Sequence, residues 1–323
     1  MTNDVILRSR VRIARNIKDY PFPPVLNDAC RKEIIEKVTT ASAGHGYIND
    51  DKIADAVYAH TLSEENLISR EFAAEKERHA LLKNEDCETY IMVCEEDHLR
   101  IQSFSDGLDL AKAGERAIEC EKLLSKKINF AFNSDLGYLT RCPTNLGTAM
   151  RASVMMFLPA LTMTHRMGDV KTQLEKIGMT IRGMYGEGSN ADAYMYQISN
   201  RLSLGHSEQD LLSKTAAVAK RIAEDERNAR SAAFEANKDV LTDKIMRSLG
   251  TLKYAHVISS KEFLDCYAYV RLGSVLKLCD VPCEKLDKLL YKAMPAHIMM
   301  LRENAENSHE RDKMRAKIIK EYL

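Results

Sequence analysis

The chain carries no net charge: 47 lysines and arginines balance 47 aspartates and glutamates. That balance removes any general electrostatic case for binding nucleic acid or membrane, and leaves only local basic patches. Long apolar runs are missing too. No stretch approaches the ~20 residues needed to span a bilayer. The N-terminal MTNDVILRSRVRIARN lacks the apolar centre of a signal peptide, so a cytoplasmic protein is expected. The eight cysteines, at positions 30, 87, 94, 120, 142, 266, 279 and 283, include no C-x-x-C pair. Positions 279 and 283 are a helical turn apart, but no neighbouring His or Cys pair completes a zinc site. Reduced thiols are therefore expected, and no metal held by protein side chains. There is no internal repeat, no low-complexity segment and no Pro/Gly linker.

What is present is ordinary for a soluble globular protein: 323 residues, 45% hydrophobic and 29% charged, enough for one large or two moderate domains. The most informative stretch is DLGYLTRCPTNLGTAMRASV, residues 135–154. Asp135–Leu139 reads as a short strand, and Val154–Leu158 reads as another, ended by Pro159. Between them Pro143 drives Cys142 out of the helical region, and Thr144, Asn145 and Gly147 favour a loop. A thiol, two hydroxyls, an amide and Arg151 are thus gathered where binding chemistry usually sits. A plain strand connection with a buried structural cysteine would look similar.

Two other stretches carry charge in unusual density. VILRSRVRIAR, residues 5–15, reads as a strand on which Arg8, Arg10 and Arg12 share a face. Such a face is either solvated or shared around an anion by guanidinium forks. ETYIMVCEEDHLRIQSF reads as a β-hairpin with Glu95, Glu96 and Asp97 at its turn. That turn is either a solvated acidic tip or a means to orient a cation and take up its proton. His98 suits a structural hydrogen bond. Residues 177–200 read as two strands around a glycine-containing turn, but no Walker lysine follows Gly186-Glu187-Gly188-Ser189. Helices are expected over 28–42, 63–83 (with Ser63 and Asn66 as an imperfect capping box), within 107–132, and from about Ser207 to the end, punctuated by Gly250, Gly273 and Pro282. The segment HTLSEENLISREF should pack beside the site, with no chemistry assigned to it. In the last helix Arg311 and Arg315 lie one turn apart with Asp312 adjacent, a pattern that also suits a charged surface helix.

The 135–154 run closely resembles the signature of the ATP:guanidino phosphotransferases, the family of creatine and arginine kinases, departing from it at Ala149, where many members have glycine. Ser9-Arg10-Val11-Arg12 and Glu95-Glu96-Asp97-His98-Leu99-Arg100 resemble two further motifs of that family, and the resemblance covers nearly the whole chain. It implies an α+β fold: a phosphagen kinase-like catalytic domain, an antiparallel sheet flanked by helices, over 1–228, then an all-helical domain over 229–323. It implies that Arg10, Arg12, Arg100, Arg151, Arg182 and, less closely aligned, Arg201 meet the phosphates of ATP. Glu96 becomes the catalytic base, with Glu95 and Asp97 in support. Cys142 would lie beside the guanidinium and modulate activity, and Glu187 would sit on a closing loop whose Ser189-Asn190-Ala191-Asp192-Ala193 order departs from the family pattern. Mg²⁺ would come with the nucleotide.

Within the family two features resemble the bacterial protein arginine kinases. In creatine and arginine kinases a helical domain of about a hundred residues precedes the Ser-Arg-Val-Arg strand; here that strand begins at residue 5, so an open cleft able to take a protein side chain is expected. Arg311, Asp312, Arg315 and Ala316 match a motif that in this branch forms a phosphoarginine pocket. The branch implies protein substrates with exposed arginine, a heat-shock repressor among them, a zinc-containing activator, a Clp-type protease that takes the marked proteins, and a homodimer, without membrane or direct nucleic acid binding. The rival expectations are a kinase for free arginine or another small guanidino compound, and a non-catalytic phosphoarginine-binding adaptor.

Overall fold

The computed structural model describes residues 4–184, 192–301 and 307–323. Its strands are β1 (Ile6–Arg15), β2 (Ile48–Asn49), β3 (Ala80–Asn84), β4 (Thr89–Val93), β5 (Leu99–Asp106), β6 (Phe132–Asn133), β7 (Gly137–Tyr138), β8 (Met150–Phe157), β9 (Met179–Gly183) and β10 (Met195–Asn200). Eight of them form a sheet in the order β2-β3-β4-β5-β1-β8-β10-β9, antiparallel throughout. The helices up to residue 236 are α1 (Asp28–Ser42), α2 (Ala56–Glu64), α3 (Arg70–Ala73), α4 (Leu110–Ser125), α5 (Pro159–Met163), α6 (Met167–Lys176) and α7 (Glu208–Ala236). Those that follow are α8 (Lys238–Tyr254), α9 (Ser260–Val275), α10 (Cys283–Lys292), α11 (Pro295–Leu301) and α12 (Ser308–Tyr322). The α+β class, with an antiparallel sheet flanked by helices and a helical C-terminal part, is as the sequence led us to expect.

The period of two decides which way the sheet faces. On β1, Val11 and Ile13 are fully buried in one core with Ile101 of β5, Ala152 and Val154 of β8 and Ile198 of β10. That face is covered by α4 and α7, whose Ala113, Ala117, Ala219 and Ala223 let the helices approach closely. Arg8, Arg10 and Arg12 consequently project from the other face. The last helices build a second core around Ile245, Phe263, Tyr267 and Leu286, and Phe157, Met184 and Met195 at one end of the sheet join it.

Several local expectations are corrected. Residues 63–83 are not one helix but the end of α2, the short α3 and β3. Asn66 takes a left-handed φ of 59°, which stops α2, and the Ser69 side chain caps α3 by accepting from Phe72 N. Ser63 therefore ends a helix and begins none; the cap of α2 is Asp55. Leu81 and Leu82 are buried on both faces of β3, so their apolar run has no alternation to betray a strand. The 135–154 stretch does not join two buried strands either. Gly137–Tyr138 pairs with Phe132–Asn133 in a separate ribbon and bridges to Gly147, and β8 begins at Met150, so Arg151 lies within the strand.

Gly250 and Gly273 do not punctuate helices; they lie inside α8 and α9. Gly273 is there because α8 passes close by: a Cβ at this position would stand 2.4 Å from Ile245 Cγ2 and 3.1 Å from Cys279 Sγ. Gly273→Ala would gain about 1 kcal/mol of helix propensity. It would lose more by forcing a methyl into a filled core, about 1–3 kcal/mol. Net destabilisation is expected, read as a lower urea midpoint; an unchanged or raised midpoint would show that the α8–α9 contact gives way easily.

Candidate active site

Register brings the arginines together. On β1, Arg12 stands opposite Gln102 of β5 and Arg151 of β8, and Arg10 stands opposite Phe104 and Ser153. On the far strands Arg182 of β9 faces Gln197 of β10. Arg10, Arg12, Arg100, Arg151 and Arg182 line one cleft of about 260 Å³. Its far wall is the segment from Ser63 to Glu71, so HTLSEENLISREF does lie beside the site. Arg201 is exposed just beyond β10 and does not line this cleft. Glu187 lies outside the described residues.

Two members of the cluster, Arg10 and Arg12, crowd against like charge. Among the described residues neither Arg10 nor Arg12 forms an ion pair; Arg10 is held by Ser153 Oγ and by the Asn66 carbonyl oxygen, each at 3.4 Å. Burial and the neighbouring Arg151, Arg100 and Arg8 push the Arg10 guanidinium down to about 9, and burial with Arg10, Arg100 and Arg151 pushes Arg12 well below its ordinary value. Guanidinium groups held this close together form a site prepared for a multiply charged anion.

Arg100 links the cluster to the acidic turn. Its Nη1 donates to Glu95 Oε1 and its Nη2 to Glu96 Oε2, both at 2.7 Å. The Glu95 side chain is only 6% exposed and also accepts from Ser69 Oγ at 2.6 Å and from Glu96 N at 2.8 Å. Glu96 stays 36% exposed at the cleft's edge, so it is the carboxylate that a second reactant can reach. Asp97 is turned away and fully buried, its Oδ1 accepting from Asn16 Nδ2 at 2.7 Å and from Arg141 N at 2.8 Å. It thereby ties the Cys142 loop to the acidic turn. His98 is structural: Nδ1 accepts from Ile17 N, Nε2 donates to the Pro21 carbonyl, and burial pushes its pKa down.

The Cys142 loop is fixed by close backbone contacts. Gly147, at φ 97°, packs so tightly that a Cβ would stand 2.7 Å from Leu204 Cα. Ala149 occupies a left-handed φ of 51°, a strain of about 1 kcal/mol for a residue with a Cβ, and its carbonyl accepts from Ala14 N at 3.0 Å. Cys142 Sγ rests 3.0 Å from Thr144 Oγ1 and is half-buried, outside the arginine cleft's lining.

The C-terminal motif sits elsewhere, on α12. Arg315 is 1% exposed, donating to the carbonyls of Ala293 and Ile258 at 2.8 Å each and pairing with Asp312. Ala316 is buried beside it, while Arg311 and Asp312 are half-buried.

Residues 28–229 match the ATP:guanido phosphotransferase C-terminal catalytic domain, and residues 238–323 match the protein-arginine kinase McsB C-terminal domain. The chain belongs to the ATP:guanido phosphotransferase family. Within that family it falls with the protein-arginine kinases. It is 38% identical to the protein-arginine kinase of Caldanaerobacter subterraneus subsp. tengcongensis, over 99% of this chain and 97% of that one. It is 38% identical to that of Halothermothrix orenii, over 99% and 93%. Among solved ATP:guanido phosphotransferase folds, lombricine kinase superposes with a TM-score of 0.60 at 23% identity, over 72% of this chain and 69% of that one. The substrate-free duplicated taurocyamine kinase of Schistosoma mansoni gives 0.61 at 24% identity, over 80% and 39%.

Residues to which the sequence alone gave no place at the site also line the cleft of this ATP:guanido phosphotransferase: Asn66, Ser69, Gln197 and Ser199. For Asn66 a signal existed, since asparagine after a helical run favours the left-handed turn.

Proposed function

We propose that this protein transfers the γ-phosphoryl group of ATP to a guanidino nitrogen of arginine side chains in proteins. The observation that carries this reading is the arginine cleft with an accessible carboxylate, Glu96, fixed at its edge by Arg100. Arg10, Arg12, Arg100, Arg151 and Arg182 would grip the triphosphate and offset charge on the transferring group, so that rate comes from alignment and a preorganised field. Arg201, outside the cleft, is given no phosphate contact. The arginine nitrogen attacks Pγ, the bond from Pγ to the β,γ-bridging oxygen breaks, ADP leaves, and the nitrogen's proton passes to Glu96. Free guanidinium holds its proton to above pH ~12, so proton loss accompanies attack rather than preceding it. Glu95 and Asp97 hold the turn that presents Glu96. Cys142 and Glu187 are proposed to orient the guanidinium.

Among the described residues no group of three or more His, Cys, Asp and Glu could hold a metal. Mg²⁺ would be carried by the nucleotide's phosphate oxygens and water, and would screen the charge between β- and γ-phosphates. We place the boundary between the two units at 228/229. Arg311 and Asp312 are proposed to bind phosphoarginine, with Arg315 and Ala316 holding α12 in place, since Arg315 already serves two carbonyls. No helix among the described residues is long and apolar enough to cross a membrane. A cytoplasmic, homodimeric enzyme of stress response, marking proteins for a Clp-type protease and acting on a heat-shock repressor with a zinc-containing activator, is the wider reading; it rests on family resemblance.

The test incubates the full chain with MgATP and an arginine-rich protein, and separately with free arginine, with products located by mass spectrometry without acid. Phosphoarginine in the protein and none on the free amino acid is expected. Product on free arginine alone would overturn the choice of substrate, and none in either would overturn the activity.

A further inference from the structure

The helical C-terminal unit reaches the cleft wall through α11, which packs on the end of α2. Glu64 Oε1 accepts from Ala296 N at 2.8 Å, and Oε2 accepts from His297 N at 3.2 Å and lies 2.8 Å from His297 Nδ1. The other ring nitrogen, Nε2, is 2.9 Å from Glu65 Oε1. Carboxylates at their usual charge only accept, so both ring nitrogens must donate, and His297 is an imidazolium held between two carboxylates.

What Glu64 and Glu65 anchor is the Asn66 turn. The Asn66 carbonyl receives Arg10 Nη1, and the next carbonyl, of Leu67, receives Gln102 Nε2. Gln102 stands opposite Arg12 in the register. One short turn therefore touches the helical unit on one side and the arginine face on the other.

We propose that charged His297 is a positioning residue for nucleotide: gripping Glu64 and Glu65 from the helical unit, it fixes the Asn66 turn against Arg10 and Gln102 and keeps the arginine face ready for phosphate. This inference rests on the reading of the cleft as the ATP site. It makes the seating of α11 a determinant of phosphate binding, although α11 supplies none of the residues that line the cleft.

The ionisable surroundings support it. Burial opposes the charge, but Glu64 at the end of α2 and Glu65 just beyond it raise the His297 pKa to about 9. From α10, Tyr291 feels Glu65; from α12, Arg315 feels Glu64 and is itself paired with Asp312. A histidine whose folded value lies above its ordinary one contributes fully below pH ~6.5 and loses the contribution as pH rises through about 9.

The test measures ATP affinity and turnover of the full chain as unaltered protein, His297→Gln, Glu64→Gln and the double variant. At neutral pH, His297→Gln should raise the Kd for ATP about tenfold with kcat nearly unchanged. Glu64→Gln should do likewise, and the double variant should be no worse than either alone. The unaltered protein loses the His297 contribution as the ring deprotonates, and the variant has none to lose. The ratio of variant to unaltered Kd should therefore fall towards unity above about pH 9. Equal affinities at neutral pH, additive losses, or a ratio indifferent to pH would overturn the proposal. If His297→Gln does not fold, Glu65→Gln removes only the half-exposed contact and gives the same comparison. An unaltered chain that binds no ATP overturns the cleft reading and this inference together; equal affinity in the variant overturns this inference alone.

Discussion

Arg12→Ala should separate activity from stability in opposite directions. Activity should fall about 10²–10³-fold in kcat/KM, the usual loss for one preorganised donor at a transferring group. The folded protein without nucleotide should be as stable as before, or more so. Arg12 forms no ion pair among the described residues, faces Arg151 across the strand, and is pushed well below its ordinary pKa by burial and by Arg10, Arg100 and Arg151. Removing it therefore removes repulsion and desolvation, whereas deletion of a residue that holds a fold costs several kcal/mol. Thermal melting without ligand, beside steady-state kinetics, decides the matter. A large drop in melting temperature with activity retained would make Arg12 structural and leave the phosphate cluster without its centre. Arg12→Lys should restore little, because a point charge cannot reproduce the planar fork.

The second large effect is expected at Glu96. Glu96→Gln keeps the shape and a contact to Arg100 but cannot take a proton, so kcat should fall about 10²–10⁴-fold, with ATP affinity unchanged. Quenched-flow or steady-state turnover together with direct ATP titration would measure both. Normal turnover in this variant would remove Glu96 as the base, and Glu95 would be a poor replacement. Glu95 is 6% exposed at the side chain and already accepts from Arg100, Ser69 and the Glu96 amide. The geometry thus assigns the two neighbours different tasks: one fixed inside, one presented to the cleft.

Much of this site was legible in the sequence because alternation and chemistry coincide on β1, where every second residue from Arg8 to Arg12 is arginine and the residues between are buried. The hairpin around Glu95–Asp97 and the helical zone from about Ser207 were legible for similar reasons, each being a local pattern with a local physical cause. The failures share a cause as well. β3 is apolar on both faces, so its period is invisible, and the turn that replaces the expected 63–83 helix is set by one left-handed asparagine. Gly273 looks like a helix breaker until Ile245 is seen against it. Arg315 reads as a surface charge, because a spacing of four cannot reveal the carbonyls of Ala293 and Ile258 waiting for it. The His297–Glu64 contact joins residues 233 positions apart by the amide of His297, and nothing local announces it.

The placement of β1 in the middle of the sheet has a consequence for synthesis. Arg10 meets its partner Ser153 across 143 residues of chain. At ribosomal rates of about 5–20 residues per second, β1 waits roughly seven to thirty seconds for β8. Through that interval its Val11 and Ile13 are available to any other strand edge, the usual opening for aggregation. Alternate arginines on the same strand oppose it, because stacking a second nascent copy in register would set guanidinium against guanidinium. The charges proposed to receive a nucleotide in the finished enzyme would thus act first as gatekeepers of the unfinished one.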